Sequence, residues 1–543
     1  MKNVLIIGSG ISGLSTAIGI AEHGGHAVLV SPYPSERTQS VMAAGGINAS
    51  KQDGQDTIES HVEDTLNGGR NIAGPQTVGG LCHDAPEILS WLESLGVVFN
   101  RNENGGIDRR AFGGQRYNRT AFSGACTGKQ IVTALIQKAR EYEKKGLIER
   151  RLGYTFHSGL IENNRCYGAL FFSEQEGALV PFYADETVMA VGGQNQMFGK
   201  TTGSLLCDGY AAGKLFLQGA VLKNLEFIQY HPTAIETPQK RMLITEAARG
   251  EGGRLYYLDG DERVYFMEDK FGPRGNLMPR DVVSKCMYDT GRQVYLDISF
   301  LGKKKITERL KEVDELCTRY LGIDVSKESI PVAPSVHFFM GGFAVDGRHR
   351  TSIEGMYAVG ECASIYHGAN RLGGNSLLAA VRSGRVASAE IMAQPETEHT
   401  VPDFSAYIAE CTARLTEQTE SGSKFPAVYL LKPLETVMHG NMGITRTGAR
   451  LQEGIKSLDY YLSVCEKLHF DADFSPYHCY RVQAMLTLAR AILTCAEARR
   501  ETRGAHIRED YPETRDEFAK CTLIRYHGGS YDVSYESEDA ICW

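Results

Sequence analysis

The chain opens on an unbroken apolar run, Val4-Leu5-Ile6-Ile7. Gly8-Ser9-Gly10-Ile11-Ser12-Gly13 follows at once, then apolar positions at helical spacing from Ile11 to Glu22. A short continuous apolar run reads as a buried strand, and the change of period to 3.6 reads as a strand giving way to a helix. Gly24-Gly25 ends that helix, and His26 to Val30 reads as a second strand. The opening pattern is therefore β-α-β, with Gly8, Gly10 and Gly13 in the GxGxxG arrangement. Gly8 permits the tight turn, Gly10 lets backbone approach a pyrophosphate, and Gly13 lets the helix lie close on the strand. Phosphates then sit at the helix N-terminus. A plain strand-turn-helix without ligand is the blander alternative. Ser31 stands where NAD-binding versions usually carry an acidic residue for the ribose. With the motif at the N-terminus, this favours a resident flavin completed by the rest of the chain.

Paired glycines recur wherever the periodic pattern breaks. Gly45-Gly46 follows the second strand, Gly113-Gly114 follows Phe112, and Gly192-Gly193 closes a strand-rich stretch over 150–190. Such pairs let backbone lie flat against a planar ligand. Residues 55–70, 82–96 and 127–142 read as amphipathic helices, and Asp208-Gly209 opens another through Leu217. Phe227 to Thr233 then leaves the sheet. From about 234 to 336 the pattern is more charged, with short strands and one clear helix from Ile306 to Tyr320, as expected of an inserted domain. A strand at Met356 to Val359 leads to Gly360-Glu361 and a glycine-rich helix start ending in Ser376-Leu377, which can cap a flavin pyrophosphate and ribityl chain. Residues 394–401 read as a linker, 403–420, 447–468 and 478–502 as helices, and 511–543 as an acidic, short-stranded tail.

These patterns predict an α/β fold: a split Rossmann-like FAD-binding domain with an inserted α+β capping domain, a helical domain and a short tail. The expected divisions are 1–233 and 337–395 for the nucleotide domain, 234–336 for the cap, 396–510 for the helices and 511–543 for the tail. Candidate cofactor contacts are Gly8, Gly10, Gly13, Ser31, Ser40, Gly45, Gly46, Gly193, Asp208, Glu361, Ser376 and Leu377.

Composition narrows the partners. The net charge of −8 argues against nucleic acid as the main partner, though a local basic cluster can still hold a small anion. No run reaches 18 apolar residues, so no membrane span is expected. The first strand begins at Val4, which leaves no room for a signal peptide and points to the cytoplasm. The 13 cysteines are scattered, and the closest pair is Cys465 and Cys479. Reduced thiols fit best, with no local zinc or iron–sulfur motif. Single electrons moving onward would need clusters on another polypeptide.

Basic and hydrogen-bonding residues gather in and around the insertion: His231, Thr245, Glu246, Arg249, Arg280, His337 and Arg371. Singly each reads as structural, a lone histidine or a salt bridge. Together they supply guanidinium forks for one carboxylate and imidazole and hydroxyl for another, the complement of a dicarboxylate.

At these residues the chain resembles the flavoprotein subunits of fumarate reductase and succinate dehydrogenase. The resemblance runs nearly end to end through GSGISG, MAAGGINA, RRAFGGQ, QYHPT, TEAARGEGG, PRDVVSK, VHFFMGG, GECA, HGANRLGGNSL and Arg503-Gly-Ala-His506-Ile-Arg508-Glu-Asp510. It implies FAD between the split domain and a mobile cap, with fumarate or succinate on the isoalloxazine. His337 and Arg371 would hold one carboxylate, His231 and Thr245 the other, with Phe112 packed nearby. Hydride would pass between flavin N5 and one alkene carbon. Arg280, fed by Glu246 and Arg249, would give the adjacent carbon its proton. An arginine acid is reasonable because the developing carbanion is strongly basic and the guanidinium also stabilises it. The resemblance further implies an iron–sulfur subunit together with a membrane-anchor subunit, placing the chain peripherally on the inner face of the cell membrane.

Two departures stand out. Covalent members read Arg-Ser-His-Thr where this chain has Arg37-Thr38-Gln39-Ser40, so the flavin-linking histidine is absent and FAD is expected to be non-covalent. The segment from Gly193 to Asp208 is shorter than expected of close relatives. Two rival readings remain: L-aspartate oxidase, which shares most motifs, and a non-catalytic flavin scaffold. The first would want a carboxylate for the substrate ammonium, and the second need not keep Arg249, Arg280 and Arg371.

Overall fold

The structure is a computed structural model that describes residues 1–396, 399–420, 427–465 and 476–543. Its central sheet is wholly parallel. Strand β1 (Asn3–Ile7) lies between β2 (His26–Ser31) and β4 (Glu186–Met189); β3 (Ile148–Leu152) and β7 (Met356–Ala358) form the edges. Helix α1 (Ile11–Glu22) packs on this sheet beside α3 (Asn375–Ala393). Strands β1 and β7 are buried on both faces and read as continuous apolar runs, whereas the edge strand β3 is partly exposed and charged.

Gly13 is required by the fold. A Cβ there would lie 1.9 Å from the Gly8 carbonyl oxygen, so only glycine lets α1 approach the turn.

A second sheet of six strands lies in the inserted region and its flanks. Its two long strands, β5 (Ile228–Glu236) and β6 (Ile330–Phe339), pair antiparallel. Phe227 to Thr233 therefore does not simply leave the sheet; most of it is strand β5. Positions 233/234 and 336/337 fall inside these paired strands. A separate apolar core, including Leu255, Val283, Leu296 and Val332, fills this region.

The helix expected over 306–320 is two helices, Gly302–Arg309 and Lys311–Leu321, broken at Leu310, whose φ is −135°. The break buries Leu310 with Ile306 and Val313. Apolar spacing runs on across it, so periodicity could not reveal it. It also directs Arg309 to Asp108 at 2.6 Å and Glu312 to the Ala125 amide at 2.9 Å.

The helical region has one more helix than expected, Leu431–Asn441. Pro433 and Gly440 read as breakers, but Pro433 stands in the first turn, where no helical hydrogen bond is lost. Residues 397–398 of the linker and 466–468 of the expected helix 447–468 lie outside the described residues. The helix expected at 478–502 runs Pro476–Ala498 and is α4. In the tail, Cys521–His527 pairs with Leu222–Lys223, so the tail strands extend a sheet rooted earlier in the chain. Among the described residues no helix is long and apolar enough to cross a membrane, and no group of three or more His, Cys, Asp or Glu could hold a metal ion.

Candidate active site

A cavity of ≈ 520 Å³ runs from the glycine turn to the inserted region. Gly8, Gly10, Ser31, Ser40, Gly45, Gly46, Asp208, Glu361, Ser376 and Leu377 all line it. The N-termini of α1 and α3 both face it, and helix N-termini suit phosphate and other anionic or polar acceptors. Ser40 Oγ accepts the Ile11 amide at 3.2 Å, tying the segment after β2 to the start of α1.

Two expected contacts lie elsewhere. Gly13 serves the packing of α1 against the turn rather than the cavity. Gly193 turns away: a Cβ there would meet Glu361 Oε1 at 2.6 Å, and its neighbour Gly192 lines the cavity instead. Asp208 pairs with Arg481 of α4, a cavity-lining cation with no local sequence signal.

The residues expected to hold a dicarboxylate converge at the other end. Phe112, His231, Thr245, Glu246, Arg280, His337 and Arg371 line the same cavity; Arg249 lies behind Glu246, fully buried. Phe112 fits against Gly45, where a Cβ would lie 3.0 Å from its ring.

Arg280 heads helix α2 (Arg280–Asp289). Its Nε and Nη2 donate to Glu246 Oε2 at 3.0 and 2.6 Å. Arg249 Nη2 donates to Glu246 Oε1 at 3.1 Å, and so does the Gly113 amide at 3.0 Å. Burial works to raise the Glu246 pKa, but the two guanidinium charges and these bonds overcome it and hold it down at about 2. The carboxylate is thus ionised, and the three side chains form one bonded chain.

Gln229, which the motif reading left without a role, stands at the centre. Its Oε1 accepts both Arg280 Nη1 and Arg371 Nη2 at 3.0 Å, and its Nε2 donates to Asn370 Oδ1 at 2.8 Å. The signal was present in the sequence, since Gln229 and His231 stand two apart on one strand. Among the described residues Arg371 hydrogen-bonds only the neutral oxygens of Leu372 and Gln229, and it lies 4.5 Å over the Phe338 ring. Burial, then the Arg280 charge, push its pKa well below the ordinary arginine value. A cation so placed wants an anion in the cavity.

His231 Nδ1 accepts the Thr233 amide at 3.2 Å. The Thr233 carbonyl lies slightly farther from Nδ1, at 3.3 Å; with the shorter amide contact made, the neutral ring carries its proton on Nε2, which is buried and has no partner among the described residues. The His337 ring centre is 5.0 Å away. Burial first, then Arg280 and its neighbours, push both histidines well below the ordinary value, so both are neutral at pH 7.

This has a consequence for stability. A histidine whose folded pKa is depressed takes up its proton only on unfolding, so stability is full above about pH 6.5 and is lost as pH falls below it. Each such group contributes up to about 1.4 kcal/mol per pH unit. His61, His157, His349, His367 and His506 are lowered by burial in the same sense. They outnumber the buried glutamates raised in the opposite sense, Glu186, Glu361 and Glu538. The melting temperature should therefore fall steadily from pH 6.5 to 5; a flat profile by calorimetry would contradict the neutral assignment.

A flavin fits this wall. The glycine turn and two helix N-termini suit a phosphate-bearing occupant, and the buried Gln39 Oε1, without a partner among the described residues, suits one that also offers a hydrogen-bond donor.

Comparison with known proteins agrees. Residues 3–377 match the FAD binding domain family, and residues 431–541 match the fumarate reductase flavoprotein C-terminal family. The chain is 34% identical over 566 residues to the succinate dehydrogenase flavoprotein subunit of Bacillus subtilis, covering 99% of this chain and 96% of that protein. It is 33% identical over 573 residues to the fumarate reductase flavoprotein subunit of Haemophilus influenzae, covering 98% of this chain and 93% of that protein. A solved structure of a mutant E. coli quinol fumarate reductase FrdA superposes with a TM-score of 0.90 at 30% identity, over 100% of this chain and 97% of that one. The chain belongs to the family of fumarate reductase and succinate dehydrogenase flavoprotein subunits, FAD-dependent oxidoreductases.

Proposed function

We propose that this flavoprotein subunit works chiefly as a fumarate reductase, converting fumarate to succinate, with succinate oxidation as the slower reverse. The observation that carries this reading is the bonded chain Arg280–Glu246–Arg249 opening onto the end of the cavity where His231, Thr245, His337 and Arg371 also stand. His337 and Arg371 hold one carboxylate of the substrate, and His231 and Thr245 hold the other. FAD, when bound, supplies the hydride to one alkene carbon. Arg280 gives the proton to the adjacent carbon and stabilises the charge developing there. Glu246, ionised at rest and 2.6 Å from Arg280, relays to it a proton received through Arg249 on its other side. Substrate plus hydride plus proton gives succinate, so the step balances.

The rival readings fit less well. Glu246, the carboxylate nearest the arginines, is engaged by two guanidinium groups and is not free for a substrate ammonium. A scaffold has no need of three buried arginines in one site. We further infer that the chain works with an iron–sulfur subunit and with a membrane-anchor subunit, which hold it on the inner face of the cell membrane. Its relatives' names as subunits support this.

The test is anaerobic turnover of the FAD-loaded protein with a reduced dye. Fumarate should oxidise the dye with stoichiometric succinate, while aspartate with oxygen should yield no peroxide. Peroxide from aspartate without fumarate turnover would establish the oxidase, and no turnover of either would leave the scaffold.

A further inference from the structure

His337 meets the cavity with one face and Thr202 with its other ring nitrogen. Thr202 Oγ1 lies 2.8 Å from His337 Nδ1, and Thr202 is 5% exposed. Thr202 sits in the short segment between Gly193 and Asp208. That loop is pinned by Asn195 Nδ2 and the Gly203 amide, which both donate to Thr201 Oγ1. The Thr202 amide also donates to the Val336 carbonyl at 3.2 Å, so the loop is laced to the strand that carries His337.

The hydroxyl has one proton and two acceptors in reach. The Val336 oxygen is the farther, at 3.2 Å, and already receives the Thr202 amide. Nδ1 is the nearer. A neutral imidazole has one donor and one acceptor nitrogen, so whichever group engages Nδ1 decides what Nε2 offers the cavity. A carboxylate there needs a donor.

We propose that Thr202 is a positioning residue for substrate binding. Its hydroxyl donates to His337 Nδ1, fixes the imidazole proton on Nε2 and turns that N–H toward a substrate carboxylate. His231 reaches the same state by another route, through the Thr233 amide on its Nδ1. The site thus presents two Nε2–H donors, each set by a threonine on the far side of the ring. The inference rests on the reading of the site as one for a dicarboxylate.

The test uses the FAD-loaded protein with Thr202→Val, which keeps the shape and removes the donor, and Thr202→Ser, which keeps the donor. Two quantities are measured: KM for fumarate, and the Kd of malonate from its perturbation of the flavin spectrum. Loss of one buried hydrogen bond to a charged ligand should raise both about tenfold or more in Thr202→Val. kcat should change less than about threefold, because a carboxylate is held equally in the ground and transition states. Thr202→Ser should stay within about threefold of the parent on all counts. Should the valine variant fail to retain FAD, Thr202→Cys carries the same comparison with a weak donor and should fall between the other two. Malonate bound as tightly by Thr202→Val as by the parent would overturn the proposal. So would a serine variant as impaired as the valine one, since shape rather than the hydroxyl would then matter. A parent protein that binds neither fumarate nor malonate would defeat the dicarboxylate reading itself, and this inference with it.

Discussion

Arg280→Ala should retain FAD and a flavin that dyes can reduce, yet lose fumarate turnover by at least about a hundredfold, the contribution of a positioned general acid. The variant removes three hydrogen bonds, two to Glu246 and one to Gln229. The cofactor wall around Gly8, Gly10, Ser376 and Leu377 lies at the other end of the cavity and is untouched. Glu246 loses the first of the two cations that hold its pKa near 2 and keeps only Arg249. Its protonation should therefore begin at higher pH than in the parent. Arg280→Lys keeps the charge but not the fork: a single ammonium cannot reproduce the planar set of donors to Glu246 and Gln229. It too should fall by a large factor. Stopped-flow reduction of the flavin by dye, followed by reoxidation with fumarate, separates the two half-reactions. Only the second should be slow. An alanine variant that keeps more than about a tenth of the activity would mean that the proton comes from another group.

Much of this site was legible in the sequence because its residues stand in short motifs beside glycines. The β-α-β opening, the substrate histidines and the three arginines all carried local signals: a change of apolar period, a Gly-Gly pair, a Pro-Arg-Asp step. What was missed shares another property. Thr202, Arg481 and Asn370 act through partners more than a hundred positions away or on a different element, and no local pattern marks them. Gly193 was misplaced for a related reason: the strand could be read, but not which of its two closing glycines faces the ligand.

The C-terminal motif shows the same limit from the other side. The segment Arg503 to Arg508 is one of the motifs on which the family resemblance rests. Yet Arg503, His506 and Arg508 are buried in this chain, and Arg499 is locked between Glu226 and Glu501. Arg446 binds the Glu226 carbonyl and His506 Nδ1. Glu226 stands two residues before β5, so this ionic cluster braces the strand that carries Gln229 and His231. Removing one member of such a cluster leaves an uncompensated buried charge. The motif therefore supports from within the strand that carries Gln229 and His231.

Acid precipitation should release all the yellow colour into the supernatant. Gln39 occupies the position at which covalent members carry the linking histidine, and it lines the cavity from a short turn, Gln39–Met42. An amide cannot form that bond, so FAD should be held without a covalent link, by the phosphate turn, the two helix N-termini and cavity-lining polar groups such as Asp208 and Glu361. A histidyl bond withdraws electron density from the isoalloxazine and raises its potential; without it the potential should lie lower. For a two-electron couple each 30 mV is worth about 1.4 kcal/mol, or about tenfold in the equilibrium between flavin and substrate. A modest drop makes the reduced flavin a better hydride donor and the oxidised flavin a poorer acceptor, while the fumarate/succinate couple itself is unchanged. Fumarate reduction should therefore outrun succinate oxidation with artificial dyes by about an order of magnitude or more. The buried Gln39 Oε1 has no partner among the described residues, and leaving such an atom unpaired costs about 1–3 kcal/mol, so an occupant that supplies a donor is held the more firmly. Gln39→Ala should then loosen FAD without changing how it is released by acid. Yellow protein left in the pellet, or succinate oxidation faster than fumarate reduction, would show that this position does not set the direction.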